Sequence, residues 1–431
     1  MKTFYCTNCG FVCFFENFAC GNCGALLGFS PDTMDMAAFE PDGDGGWRRL
    51  GAADEGSEDV AAGSAFAESA GAEKVARGSD ATASIARGAP AANDAGYANA
   101  PPSSPALAAV PGDAAAQAGE ADGDRAPARV SSWRQCRNYS SEQICNWMVA
   151  PGDDEALCRC CRRTEHTAAL EDPANKDAWF KLEGAKRRLF YSLYRLGLPV
   201  EGDGTHPPPE FRFLGGEGET ATTGHAGGTI TLDIGEADDA RREQRRVDLR
   251  EPYRTLLGHF RHEIGHYYWD RLIAHGGRLE AFRKHFGDER RDYAEALAAY
   301  YASPPADWAE RHISAYAAMH PWEDWAETWA HYLHISDALD TAAHWGFALH
   351  SDQADGGPAD VPGVEVEDQP FRKVLLEQWL PLAQFLNSMG RSLGQGDAYP
   401  FVMATTVLDK LGFVHRVITE AAAARRRGTD A

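Results

Sequence analysis

Two histidines four residues apart, His262 and His266, enclose Glu263 in the decapeptide RHEIGHYYWD. On an α-helix that spacing puts both imidazoles on one face, one turn apart, where they can reach a single ion. Glu263 then stands beside an open coordination position, where a general base for water is needed. The pattern predicts a metal-assisted hydrolase. With 15 histidines in 431 residues such a string can arise by chance, so its flanks decide. Leu256, Phe260, Ile264 and Tyr267 recur at three- and four-residue steps, which predicts a helix with a buried stripe rather than a solvated one. Pro252 suits a first turn.

Two histidines need an acidic third ligand if a position is to stay open for water. The segment SAYAAMHPWEDWAETWAHYLH, residues 314–334, supplies it. Glu323 and Glu327 share a helical face, whereas Asp324 points elsewhere. One can ligate while the other hydrogen-bonds the far nitrogen of a liganding histidine. Glu323 is read as the ligand and Glu327 as the supporting carboxylate, with the reverse assignment as the alternative. Trp322, Trp325, Trp329 and Leu333 place these acids at the edge of a core. Tyr316, seven residues before Glu323, is the candidate hydrogen-bond donor to an oxyanion, and His320 competes with it. His259, His331 and His334 read as packing or supporting residues.

All ten cysteines precede residue 162, apart from the histidine motif, which marks a separate module. Cys6 and Cys9, and Cys20 and Cys23, form the turns CTNCG and CGNCG. Glycine after each pair lets the backbone turn tightly around a metal, and four thiolates suit one tetrahedral zinc. Cys13 falls outside the pattern and reads as a small buried hydrophobe. Cys136, Cys145, Cys158 and Cys161 form a second set, with Cys160 a spare or a rival of Cys161. No export signal precedes them, so metal ligation is favoured over disulfides. Two such ions would help hold a module with little apolar core.

Composition divides the chain into a cysteine-bearing segment (1–48), an Ala/Gly/Ser/Pro-rich stretch read as a disordered linker or insertion (49–130), a second cysteine segment (131–166), an aromatic and aliphatic domain (167–420) and a disordered tail (421–431). In the large domain, periodicity predicts helices near 179–196, 252–274, 290–302, 306–319, 322–335, 370–392 and 400–420. Strands are expected at 211–214 and 229–234. This is an α+β fold with helices dominant. The net charge of −22 disfavours nucleic-acid binding, because the basic clusters at Arg241, Arg242, Arg245 and Arg246 and at Arg425 to Arg427 are short. Lacking a targeting signal or an apolar run of membrane-spanning length, the protein is expected to be cytoplasmic.

The ordered set CTNCGFVCFFEN, CGNCGALLGF, CRNYSSEQICNWMV, HEIGHYYWDRL and HPWEDWAETWAHYLH resembles a bacterial family of zinc-binding metallopeptidases with an N-terminal zinc-ribbon domain. The resemblance covers most of the chain outside the linker. It implies a mainly helical, zincin-like domain with a small antiparallel sheet, preceded by a zinc-ribbon (rubredoxin-like) module. It also implies a glutamate-type zincin centre with one catalytic and one or two structural Zn2+ ions. The Tyr316-to-Glu323 spacing and the EDWAE string resemble the anthrax lethal factor-like branch, which favours Glu323 as ligand, Glu327 in support and Tyr316 as transition-state donor. The expected activity is peptide hydrolysis on a peptide or protein substrate, with a protein partner reached through the ribbon as a further expectation. Two rival readings are a ribbon interaction module on a silent zincin scaffold and a hydrolase of non-peptide amides.

Overall fold

A computed structural model describes residues 2–51, 132–215, 223–248, 254–348 and 371–429. The expected linker falls almost wholly outside them, as does Pro252. The chain opens with strands β1 (Phe4–Tyr5) and β2 (Val12–Cys13), paired antiparallel around the first cysteine turn. Gly10 and Gly24 adopt φ of 72° and 73°, a left-handed conformation that glycine enters without steric cost. Each donates its amide back to the first cysteine of its turn, Cys6 or Cys20. Strands β3 (Leu26–Ser30), β4 (Asp35–Pro41) and β5 (Trp47–Arg49) form an antiparallel sheet.

The chain re-enters at β6 (Arg134–Gln135), the single-turn helix α1 (Arg137–Ser140) and β7 (Met148–Val149). These later pieces complete the first ones. Phe29 donates its amide to the Asn146 carbonyl, and the Tyr139 hydroxyl lies 3.0 and 2.9 Å from the carbonyl oxygens of Phe18 and Leu27. Phe4, Phe15, Phe29 and Trp147 pack as a buried aromatic cluster that extends to Tyr191 of the next long helix. Both cysteine groups thus belong to one module.

Strand β8 (Thr164–Thr167) leads into α2 (Pro173–Arg195), which starts with Asp172 as cap and Pro173 in the first turn. Then follow β9 (Glu210–Leu214), β10 (Gly224–Ala226) and β11 (Thr229–Asp233). The sheet order is β10-β11-β9-β8. Strand β10, which was not anticipated, pairs antiparallel with β11, but β8 and β11 both run parallel to β9, so the two expected strands pair parallel. A long helix between β8 and β9 is the connection parallel neighbours require. Ile230, Leu232, Phe211 and Phe213 turn to the core.

Next come α3 (Asp239–Asp248) and α4 (Leu256–Tyr268), whose Thr255 cap accepts the Gly258 amide, and α4 continues as a π-helical segment over Trp269–Ala274. Helices α5 (Leu279–Phe286), α6 (Tyr293–Ala302), α7 (Pro321–His344), α8 (Phe371–Val374), α9 (Leu380–Ser392) and α10 (Thr405–Thr429) complete the domain, α8 and α9 being joined by a π turn. Helix α4 lies against α7, and Gly265 makes the approach possible. A Cβ there would stand 3.1 Å from Ala326 Cα, and the Gly265 carbonyl accepts the Trp325 indole N–H at 2.9 Å.

Two expectations need correcting. No helix spans 306–319, which holds only short 3-10 turns at Trp308–Glu310 and Tyr316–Ala318. The Ser314 hydroxyl takes the Ala317 amide, offering the backbone a partner other than a helical carbonyl. Residues 421–429 are not a loose tail but the end of α10, an Ala-rich run of good helix formers whose Arg425 donates to the Leu198 carbonyl. Helices α3 and α5 were not anticipated, although Phe282 and Phe286 of α5 show the four-residue step. Among the described residues no helix is long and apolar enough to cross a membrane.

Candidate metal centres

Helix α4 presents His262 and His266, and α7 presents Glu323 and Glu327 to them. His262 Nε2 lies 3.2 Å from His266 Nε2 and 3.0 Å from Glu323 Oε2, and His266 Nε2 lies 3.5 Å from that same oxygen. Ligands at about 2.0–2.1 Å around a tetrahedral zinc are about 3.3 Å apart, so the triangle has the right size. Its chemistry fits as well. His262 Nδ1 is 2.7 Å from Glu327 Oε1, a carboxylate placed to accept the Nδ1 proton while Nε2 is turned toward the other two donors. Three electron-pair donors converging in a buried space call for a cation.

The surroundings hold this triangle in place. Tyr293 of α6 donates to the second oxygen of Glu323 at 3.0 Å, and the Ser314 hydroxyl donates to the second oxygen of Glu327 at 2.6 Å. The Trp322 ring covers His266, centroids 3.6 Å apart. Burial pushes the Glu327 carboxyl up, but the hydrogen bonds from His262 and Ser314 work against it, and the group is held down at about 2. Tyr293 and Ser314 were missed in the sequence. No spacing rule links them to the motif, and only tertiary contact brings them there.

Glu263 and Tyr316 line a cleft of about 740 Å³ that opens beside His262, together with Tyr300, Tyr301, His331 and Phe401. Burial and the nearby carboxylate of Glu323 push the Tyr316 phenol well up, so it stays protonated and able to donate. His320 is taken up structurally: Nδ1 caps α7 by accepting the Trp322 amide, and Nε2 faces the Arg291 carbonyl. His331 binds the Tyr399 hydroxyl at 2.8 Å, and burial holds it down at about 4, hence neutral. His334 stands edge-on to Trp379 at 6.0 Å and tilted to Tyr399 at 5.4 Å, and His259 Nδ1 lies 3.1 Å from Glu236 Oε2.

The cysteines gather into two groups. In the first, Cys6 and Cys23 sulfurs are 3.7 Å apart and those of Cys9 and Cys20 3.6 Å. In the second, of Cys136, Cys145, Cys158 and Cys161, the Cys145 and Cys158 sulfurs are 3.7 Å apart. A tetrahedron of thiolates at about 2.3 Å from zinc has edges of about 3.8 Å. Amides support the sulfurs, from the Asn8 and Asn22 side chains in the first group and the Trp147, Cys158 and Cys161 backbone in the second. Cys13 stands aside, donating to the Phe11 carbonyl, and burial pushes its thiol up to about 11. Cys160 is buried beside the second group without joining it.

Residues 175–417 match the family model described as "Putative zinc-binding metallo-peptidase", and residues 3–65 and 104–172 match a zinc-ribbon domain model. Uncharacterized proteins of Mycobacterium tuberculosis and Mycobacterium bovis are 46% identical over 291 residues, which cover 67% of this chain and 83% of theirs. No solved structure matches. With the family model spanning more than half of its length, and two four-cysteine groups with a His/His/Glu group assembled as described, the chain belongs to the zinc-binding metallopeptidase family with an N-terminal zinc ribbon.

Proposed function

We propose that the protein is a zinc-dependent peptidase of the glutamate-ligand type, in which His262, His266 and Glu323 hold the ion. The observation that carries this is the triangle of Nε2, Nε2 and Oε2 atoms beside a cleft walled by Glu263. When bound, zinc polarises a carbonyl and acidifies water. Glu263 accepts the proton of the attacking water and delivers it to the departing amine. The Tyr316 hydroxyl donates to the substrate oxygen as negative charge develops on it. Glu327 keeps His262 in the tautomer that leaves Nε2 free of hydrogen. The four cysteines of each ribbon group hold a structural zinc.

Metal analysis with cleavage of a peptide library tests this reading. The wild type is expected to carry three zinc ions per chain, and His262→Ala two, with cleavage lost. An unchanged zinc count in the variant would remove the histidine centre from the mechanism. A milder change, Glu327→Ala, is expected to weaken zinc binding at this centre by about 10- to 100-fold, read by competition with a chelator.

A further inference from the structure

Helix α6 is oddly placed for its composition. Its sequence YAEALAAYYA contains a single charge, yet only Ala296 is buried, and Tyr301 remains 63% exposed. An apolar helix left this open generally marks a surface meant to be covered. Its C-terminal tyrosines do not face bulk solvent alone. Tyr300 and Tyr301 form one wall of the cleft beside Glu263, with Tyr300 edge-on to Tyr316 at 6.0 Å. The segment before α10 also lines this cleft: Tyr399 and Phe401 pack at 5.0 Å, and Phe401 stands edge-on to the neutral His331 at 4.4 Å. The two arginines that reach the cleft are committed elsewhere, Arg254 to Glu236 and Arg261 to Asp337. Two aromatic pairs thus line the same cleft as the proposed general base, and the two arginines that line it are paired with acidic side chains.

We infer that Tyr300 and Tyr301 of α6, with Tyr399 and Phe401, form a subsite that takes an aromatic side chain of the polypeptide substrate next to the scissile bond. This rests on the peptidase reading above. Flat rings suit such walls because aromatic pairs gain from edge-to-face and offset contacts beyond simple burial. The site is continuous with the cleft holding Glu263 and Tyr316, so a side chain seated there leaves its backbone beside both.

The test uses the full-length, zinc-loaded chain and labelled alanine-based peptides bearing one Phe, Lys or Asp. Binding is measured by anisotropy on Glu263→Gln and cleavage on the wild type. The Phe peptide is expected to bind at least about tenfold tighter than the Ala, Lys and Asp peptides, a discrimination ordinary for an apolar pocket. Tyr301→Ser or Phe401→Ser, added to Glu263→Gln, is expected to reduce that advantage to about threefold or less. Leu393→Ser, an equally exposed position outside the cleft, should leave it unchanged. Equal binding of all peptides, or an advantage that survives both wall substitutions, overturns the subsite. Phe-selective binding without wild-type cleavage sinks the peptidase reading and keeps the subsite. Cleavage without selectivity does the reverse, and neither binding nor cleavage removes both.

Discussion

Glu263→Gln is expected to lower peptide cleavage by about 10²- to 10⁴-fold while leaving the zinc count at its wild-type value. Glutamine matches glutamate in shape, so the helix and its contacts survive. What disappears is the ability to take a proton from water. Glu263 lines the cleft and is not among the three donors that converge on the ion position, which separates catalysis from metal binding in this variant. The loss corresponds to about 3–5 kcal/mol of transition-state stabilisation. It should appear in kcat far more than in KM, because a proton acceptor acts on the transition state rather than on ground-state binding. Steady-state kinetics with zinc analysis on the same preparation gives the answer. Cleavage retained at more than a tenth of the wild-type rate would exclude Glu263 as the base.

Lys186→Met is expected to destabilise the protein by about 3–5 kcal/mol, because it leaves a buried carboxylate without its counter-charge. Lys186 and Glu183 of α2 are both fully buried, with Nζ 2.9 Å from Glu183 Oε1. The ammonium also donates to the Thr164 hydroxyl and lies 5.6 and 5.8 Å from the ring centres of Phe211 and Phe213. Burial alone would push the Lys186 amine down, but the Glu183 carboxylate and the cysteines behind it hold it up, so it carries its charge. The Cys161 sulfur stands 4.0 Å from Glu183 Oε2, so losing the lysine would leave two acidic groups facing each other. A fall in Tm on the order of 10 °C follows for a domain of this size. The double variant Glu183→Gln with Lys186→Met removes both charges and should recover much of the loss. A single variant melting within about 2 °C of wild type would show that this pair contributes little.

What could be read from the sequence follows from the range of the interactions involved. His262, His266, Glu323 and Glu327 come from two helices, and the helical period alone states which of them share a face. The two CxxCG turns are equally local. Cys136, Cys145, Cys158 and Cys161 needed the count of the remaining cysteines, and the structure does bring those four together. Tyr293 and Ser314 depend on how α6 and the 303–320 stretch pass over α7, which no periodicity encodes. The parallel pairing of β8 and β11 with β9 was hidden for the same reason: alternation of Ile230, Leu232 and Ile234 reports a strand but not its neighbour. Where local chemistry competed with the period, as at Ser314, the period misled.

Backbone bonds between Trp47 and Trp133 tie together the two places where the described chain leaves and re-enters the ribbon: each amide donates to the other's carbonyl, at 2.8 and 3.2 Å. The described residues that flank the 80-residue span 52–131 are therefore held together by the ribbon's own backbone. Loop-closure entropy changes only with the logarithm of length, so exchanging that span for about ten residues should raise stability by no more than about 2 kcal/mol. Calorimetry on such a shortened chain, with its zinc count, checks this. The Trp47–Trp133 clasp is in effect a rivet, fastening the two cysteine-bearing halves of the ribbon to each other at the point where the described chain departs and returns.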